Sequence, residues 1–149
     1  MKHGRIPAEL TQVAAEVFVF DTIIINADRR PLNPNCLTNG EAIAIFDHEL
    51  SFGTELFWKA PWLENGFDRI ASDGNHIFSP TFFVQRPTQL DRFKEAWKKL
   101  PAGRFQEYCG ALPGEWLTDN DFLNRTVSYL IDIQGKIDLV VDRGLEKLK

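Results

Sequence analysis

Only two cysteines, no surplus of basic charge and no long apolar run: each shortage in this 149-residue sequence removes a class of protein. Cys36 and Cys109 stand too far apart for a metal-ligand pair, and two thiols of this kind read as buried side chains without chemistry. With 17 basic against 21 acidic residues the net charge is -4, which offers no footprint for a phosphate backbone, so nucleic acid is excluded as a partner. The longest apolar stretch, Val17 to Ile25, is too short to span a bilayer and carries Asp21, so no membrane partner is expected. Behind the basic residues of Met1 to Pro7 no apolar run follows, so no signal peptide is read there and a cytoplasmic protein is expected.

What is present is the composition of a folded chain: 44% hydrophobic residues, 26% charged, 12 Phe and 4 Trp, with no repeat or low-complexity tract. The length suits one domain over residues 1–149, and no linker divides it. Proline at position 7 and apolar Leu10, Val13, Ala14, Val17 and Phe18 predict a helix running to about Ile24. The β-branched run from Val17 would also allow a strand, and the helix is preferred. Asn35 to Thr38 and Ala42 to Phe46, joined through Asn39-Gly40, predict a hairpin with a tight turn. Leu90, Phe93, Trp97 and Leu100 share one helical face, Phe105 to Ala111 is a shorter helix, and Asp119 to Gln134 and Ile137 to Leu148 complete a helical half. Asp119 is a candidate N-cap. The fold class expected is α+β, mainly helical, with one hairpin.

Between the first helix and the hairpin lies the chemistry. Asn26 to Pro34 is polar, and Pro31 and Pro34 stiffen it into an irregular loop. It carries Asp28 and, five positions on, Asn33; Asp47 closes the hairpin. Phosphoryl transfer needs a carboxylate beside the attacking hydroxyl and oxygen ligands for the magnesium that neutralises the phosphates. An Asp-x-x-x-x-Asn loop followed by a second Asp supplies them. The spacing alone is also that of an ordinary turn rich in capping side chains. What raises it is the setting: apolar chain entering, prolines within, and a hairpin that returns Asp47 toward the loop.

Phe20 to Arg30, Asn33-Pro34-Asn35 and Ile45 to Phe52 together resemble the catalytic core of the HipA-like kinases. The Asp-Arg-His-x-x-Asn loop of the related phosphoinositide lipid kinases is similar to Asp28 through Asn33 as well. The resemblance implies a kinase-like C-terminal lobe of a serine/threonine protein kinase acting on a protein substrate. Asp28 would orient or deprotonate the substrate hydroxyl, while Asn33 and Asp47 would bind Mg2+ against the phosphates of ATP. Asn35 rivals Asn33 for its role. Arg30 stands where the lipid kinases have His, and His48-Glu49 follows Asp47 where protein kinases have Phe-Gly, so the substrate class stays open.

A kinase also requires an N-terminal lobe, and only residues 1–27 precede Asp28. No Gly-x-Gly-x-x-Gly and no Gly-x-x-x-x-Gly-Lys-Ser/Thr occurs to cradle phosphates. The expectation is an N-lobe supplied by another chain or a longer parent protein. The alternative is a non-catalytic half-kinase that binds a partner or forms a homodimer through apolar surface near Ile43, Ile45, Phe52 and Phe57. A hydrolytic metal site on Asp47, His48 and Glu49 is the weaker reading, because neighbours in a strand face opposite ways; His48 is expected to be a hydrogen-bonded structural residue. The aromatic residues from Phe52 to Phe83 are read as core, Lys94, Lys98 and Lys99 as a solvated helix face, and Glu146 to Lys149 as a frayed end.

Overall fold

The fold is organised around one helix that is apolar on nearly every side. Helix α1, Thr11–Ile23, follows directly on a single 3-10 turn, Ala8–Leu10, and buries Ala14, Ala15, Val17, Phe18, Val19 and Ile23. A helix hydrophobic all round has no solvent face and must sit inside a core. The computed structural model describes residues 6–52, 59–87, 89–117 and 119–149.

After α1 comes the polar loop, then strands β1, Cys36–Thr38, and β2, Ile43–Ile45, paired antiparallel with Cys36 opposite Ile45 and Thr38 opposite Ile43. Four residues, Asn39 to Ala42, therefore form the connection, not the expected two-residue turn. A two-residue hairpin turn of the favoured type needs positive φ at both central residues. Only Gly40 has it here, at 93°, while the Asn39 side chain accepts from the amides of Glu41 and Ala42. One face of the hairpin, with Cys36, Ile43 and Ile45, packs on the core; Leu37 and Ala44, paired on the other, are exposed.

Helices α2, Asp68–Ala71, α3, Asp91–Lys98, α4, Arg104–Gly110, α5, Asn120–Gly135, and α6, Ile137–Lys147, complete the chain. About half of it is helical around one small antiparallel sheet, an α+β fold as expected. Asp119 does cap α5, its carboxylate accepting from the Phe122 amide at 2.8 Å. Helix α6 lays Val140, Val141 and Leu145 into the core against α1, and Leu148, at its C-cap, follows them. They meet closely at Gly144, where a Cβ would stand 2.7 Å from Val19 Cγ2. Five of the described aromatic residues of the middle stretch belong to the core or line it: Phe67, Phe78 and Phe83 are buried, and Phe52 and Trp62 pack against it, while Phe82 is half-buried outside it. Phe57 and Trp58 lie outside the described residues.

One expectation is corrected and one refined. The chain's end is not frayed: Leu148 is fully buried and Lys147 pairs with Asp68 at 2.6 Å, because the apolar stripe of α6 continues through the charged tail. Lys98 and Lys99 are exposed as expected and Lys94 is half-buried, but Lys94 and Lys98 are also paired across to a neighbouring helix. They reach Asp142 and Asp138 at 3.0 and 2.8 Å and link α3 to α6. Among the described residues no helix is long and apolar enough to cross a membrane.

Candidate active site

The polar loop starts from a strained helix end. Ile25 takes φ 58°, its amide donates to the Thr22 carbonyl at 3.3 Å, and the Asn26 amide donates to the Asp21 carbonyl at 2.8 Å. This pair of bonds is a Schellman cap, a position that glycine usually fills because a β-branched residue is strained there. Tertiary bonds hold it: the Tyr129 hydroxyl donates to the Ile23 carbonyl and the Phe52 amide to that of Ile24, both at 2.9 Å. Asn26, delivered by the cap, donates to Asp21 Oδ1 at 3.0 Å and accepts the Asp28 amide at 3.1 Å. The helix end thereby sets the direction of Asp28.

Three donors converge on the Asp28 carboxylate. Asn33 Nδ2 and Asn35 Nδ2 meet Oδ2 at 2.6 and 3.1 Å, and Arg30 Nη2 meets Oδ1 at 3.1 Å. The Asn33 bond is the main reason the carboxyl is held below the usual carboxylate range; Arg30 and Asn35 add to it against the opposing effect of desolvation. Asp28 is an ionised, aimed acceptor. The two asparagines differ. Asn35 is buried, at φ 42°, and its carbonyl accepts from Arg29 and from the Phe46 amide, so it is a structural link. Asn33 is half-buried, and with its amide on Asp28 its carbonyl oxygen is the side chain's remaining acceptor.

Arg29 ties this loop to everything around it. Fully buried, its Nε and Nη2 clasp Asp21 at 2.5 and 3.2 Å. Its Nη1 donates to the carbonyls of Asn35 and, at 3.5 Å, Phe46, and its Nη2 meets His48 Nε2 at 2.9 Å. A guanidinium only donates, so His48 accepts through Nε2. That ring nitrogen is occupied, and among the described residues no group of three or more His, Cys, Asp or Glu is placed to hold a metal.

Asp28, Asn33 and Asn35 are thus brought together. Asp47, exposed and at φ 58°, follows Phe46, whose amide bonds to Asn35 at 3.1 Å. The hairpin end is fastened to the loop through backbone, while the hydrogen bond of the Asn33 amide runs to Asp28 and not to Asp47. Magnesium is a hard cation that takes one or two protein oxygens and leaves its other positions to water and phosphate. Asn33 offers a carbonyl oxygen and Asp47 an exposed carboxylate.

Four residues of this assembly escape sequence reading: Asp21, Asn26, Arg29 and His76. His76 lies 55 positions from Asp21, yet its Nε2 meets Asp21 Oδ2 at 2.9 Å while its Nδ1 accepts the Phe78 amide at 3.0 Å. An accepting Nδ1 leaves the proton on Nε2, so the ring is neutral and donates to Asp21. The available signal was Asp21 itself, a carboxylate in the middle of an apolar run. Burial alone would raise the Asp21 carboxyl, but the bonds from His76 and Arg29 and the guanidinium charge reverse this and hold it low. Burial pushes the His76 pKa down, further than Asp21 raises it. Burial likewise pushes the Cys36 thiol up, as an inert cysteine requires, whereas Cys109 is half-buried.

These shifts have a pH consequence. A histidine with a depressed folded pKa lets the unfolded chain bind the extra proton first, so stability is complete above the unfolded value of about 6.5 and falls as pH drops below it. Asp21 contributes no slope there, since its depressed carboxyl loses stability only below about pH 4. Urea unfolding measured between neutrality and pH 5 should show stability declining with acid, and a shallower slope in His76→Gln. Equal slopes would remove His76 as the cause.

The profile of the HipA-like kinase family matches residues 2–139, nearly the whole chain. The chain belongs to the HipA-like kinase family, and the polar loop and hairpin lie within the matched region. No curated protein and no solved structure matches it.

Proposed function

We propose that this chain is the catalytic C-terminal lobe of a HipA-like serine/threonine protein kinase, a cytoplasmic enzyme that phosphorylates a protein substrate with ATP. The observation that carries the reading is the Asp28 carboxylate, ionised and aimed by Asn33, Asn35 and Arg30. In this role Asp28 orients the substrate hydroxyl and receives its proton. Its lowered pKa suits orientation more than strong proton abstraction, which accords with the loose transition states of phosphoryl transfer. Asn33 and Asp47 would hold Mg2+, which when bound neutralises phosphate charge. Arg29 does not touch substrate; it positions the loop against the hairpin end.

In this reading the phosphate-covering lobe comes from another chain or from a further part of the same protein. Calorimetry of Mg2+-ATP binding tests it, on this chain alone and with the N-lobe protein. Binding should strengthen with the N-lobe, and Asp47→Ala should weaken it at least tenfold, the equivalent of about 1.4 kcal/mol. Equal ATP affinity in Asp47→Ala would remove Asp47 from the metal site.

A second reading, a non-catalytic module that binds a partner or a second copy, is favoured by apolar side chains bare around the site. Leu32 is 95% exposed, Leu37 65% and Leu50 54%. They are not the residues expected: Ile43, Ile45 and Phe52 are partly buried against the core. Absence of ATP binding with every N-lobe tried, together with self-association lost on Leu37→Ser, would favour this module.

A further inference from the structure

The guanidinium of Arg29 is fully buried, carries five N–H groups and finds an acceptor for each. Two go to Asp21, two to the carbonyls of Asn35 and Phe46, and the last to His48 Nε2 at 2.9 Å. Phe46 and His48 stand on either side of Asp47 in the chain. Asp47 is thus held between two neighbours that meet the same buried group. His48 is half-buried where Asp47 and Glu49 beside it are exposed, and its ring stands nearly perpendicular to that of Phe20, with centroids 6.0 Å apart. Its carbonyl accepts the Ser51 amide at 3.0 Å and closes the turn that follows. Asp47 itself sits at φ 58°, a conformation that a residue with a side chain keeps only where its surroundings hold it.

We propose that His48 is the positioning residue of Asp47: its bond to Arg29 fixes the turned backbone from which Asp47 presents its carboxylate to a divalent cation. The inference rests on the kinase reading for what Asp47 holds, and adds the group that mounts it. A buried N–H without an acceptor is strongly disfavoured, so the guanidinium keeps the imidazole, and the imidazole keeps the chain just past Asp47 turned inward. On the other side the Phe46 amide, bonded to the Asn35 carbonyl at 3.1 Å, anchors the chain just before it. Arg29 is also the residue next to Asp28. Through one side chain, the mounting of the metal carboxylate is therefore set relative to that of the base. A ring that merely filled space beside Phe20 would do so without its nitrogen, and the bond from that nitrogen to Arg29 is what separates the two roles.

Nuclear magnetic resonance on the isotope-labelled chain tests this apart from transfer, with Mn2+ alone as the probe, a paramagnetic ion that oxygen ligands suit. In the metal-free chain, His48→Phe keeps a ring against Phe20 but accepts nothing from Arg29. It should lower the order parameter of the Asp47 amide from about 0.85 to below about 0.6. Asn33, held to Asp28, should keep its order. Half-broadening of the Asp47 amide should then require about tenfold more Mn2+ in His48→Phe than in the parent, as for loss of a group that orients a metal ligand. His48→Gln, whose side-chain carbonyl accepts as the imidazole does, should stay within about threefold of the parent. Unchanged order at Asp47, equal loosening at Asn33, an unshifted Mn2+ titration, or His48→Gln as impaired as His48→Phe overturns the inference. Mn2+ that broadens neither Asp47 nor Asn33 in the parent would instead count against their metal role in the kinase reading, and the metal-free order measurement would still decide whether His48 positions Asp47.

Discussion

Arg29→Met should destabilise the fold by roughly 3–5 kcal/mol, the cost of leaving a buried charge without its partner. The orphan is Asp21, fully buried, with Asn26 and a neutral His76 as its remaining donors. For a chain of this length that loss corresponds to a fall in Tm of about 10 °C. Circular dichroism melts check it. The companion variant separates charge from shape: adding Asp21→Asn to Arg29→Met removes the uncompensated charge, so the double variant should lose less than the two single losses summed. A loss below about 1 kcal/mol for Arg29→Met would show that the carboxylate finds other partners and that Arg29 is dispensable to the core. Well-packed apolar residues often replace a buried ion pair at no cost, so stability alone does not explain this one. What the guanidinium adds is direction, because one group reaches helix α1, the Asn35 carbonyl, the hairpin end and His48 together.

Much of this was legible in the sequence, for reasons that can be assigned. Helices α1 and α3 to α6 follow from apolar spacing, and the α5 cap from an Asp just ahead of it, since both signals are local. The hairpin was legible from its strands, but its turn was not: Asn39-Gly40 promises a two-residue connection, and the pairing of Thr38 with Ile43 decided for four. The loop residues Asp28 and Asn33 were legible by spacing and do come together. The buried set of Asp21, Arg29 and His76 was not. Its members meet only after α1 and the segment around His76 pack together, and no periodicity encodes that meeting. The charged tail misled because Lys147 and Lys149 surround Leu148, whose place in the α6 stripe outweighs them.

Strain marks the same region. Four residues other than glycine have positive φ among the described residues: Ile25, Asn35, Asp47 and Phe52. Each costs on the order of 1–3 kcal/mol and persists only where its surroundings over-determine it. Ile25 and Phe52 are held through the Ile24 carbonyl, and Asn35 through Arg29 and Phe46. All four fall between the end of α1 and the residues just past the hairpin. The chain tolerates poor backbone geometry where Asp28, Asn33 and Asp47 are mounted, a distribution expected of a functional loop more than of a linker.

Asp28→Asn then separates the chemistry from the scaffold. The substitution keeps the shape and removes both the charge and the ability to receive a proton. In the proposed complex with an N-lobe, phosphoryl transfer should fall by about 10²–10⁴-fold, the range for loss of a general base. ATP affinity should change little, because Asp28 is not among the residues proposed to hold Mg2+. Stability should also drop, by about 1–3 kcal/mol, since an amide cannot accept well from Asn33, Asn35 and Arg30 together. Asp28 therefore differs from a bare loop base, whose removal would leave the fold untouched: the donors that aim it also close the loop. Single-turnover transfer and a urea titration on the same preparation measure the two effects independently. Transfer within tenfold of the parent enzyme, in a variant that has lost stability, would leave Asp28 as a loop-closing residue and move the base elsewhere.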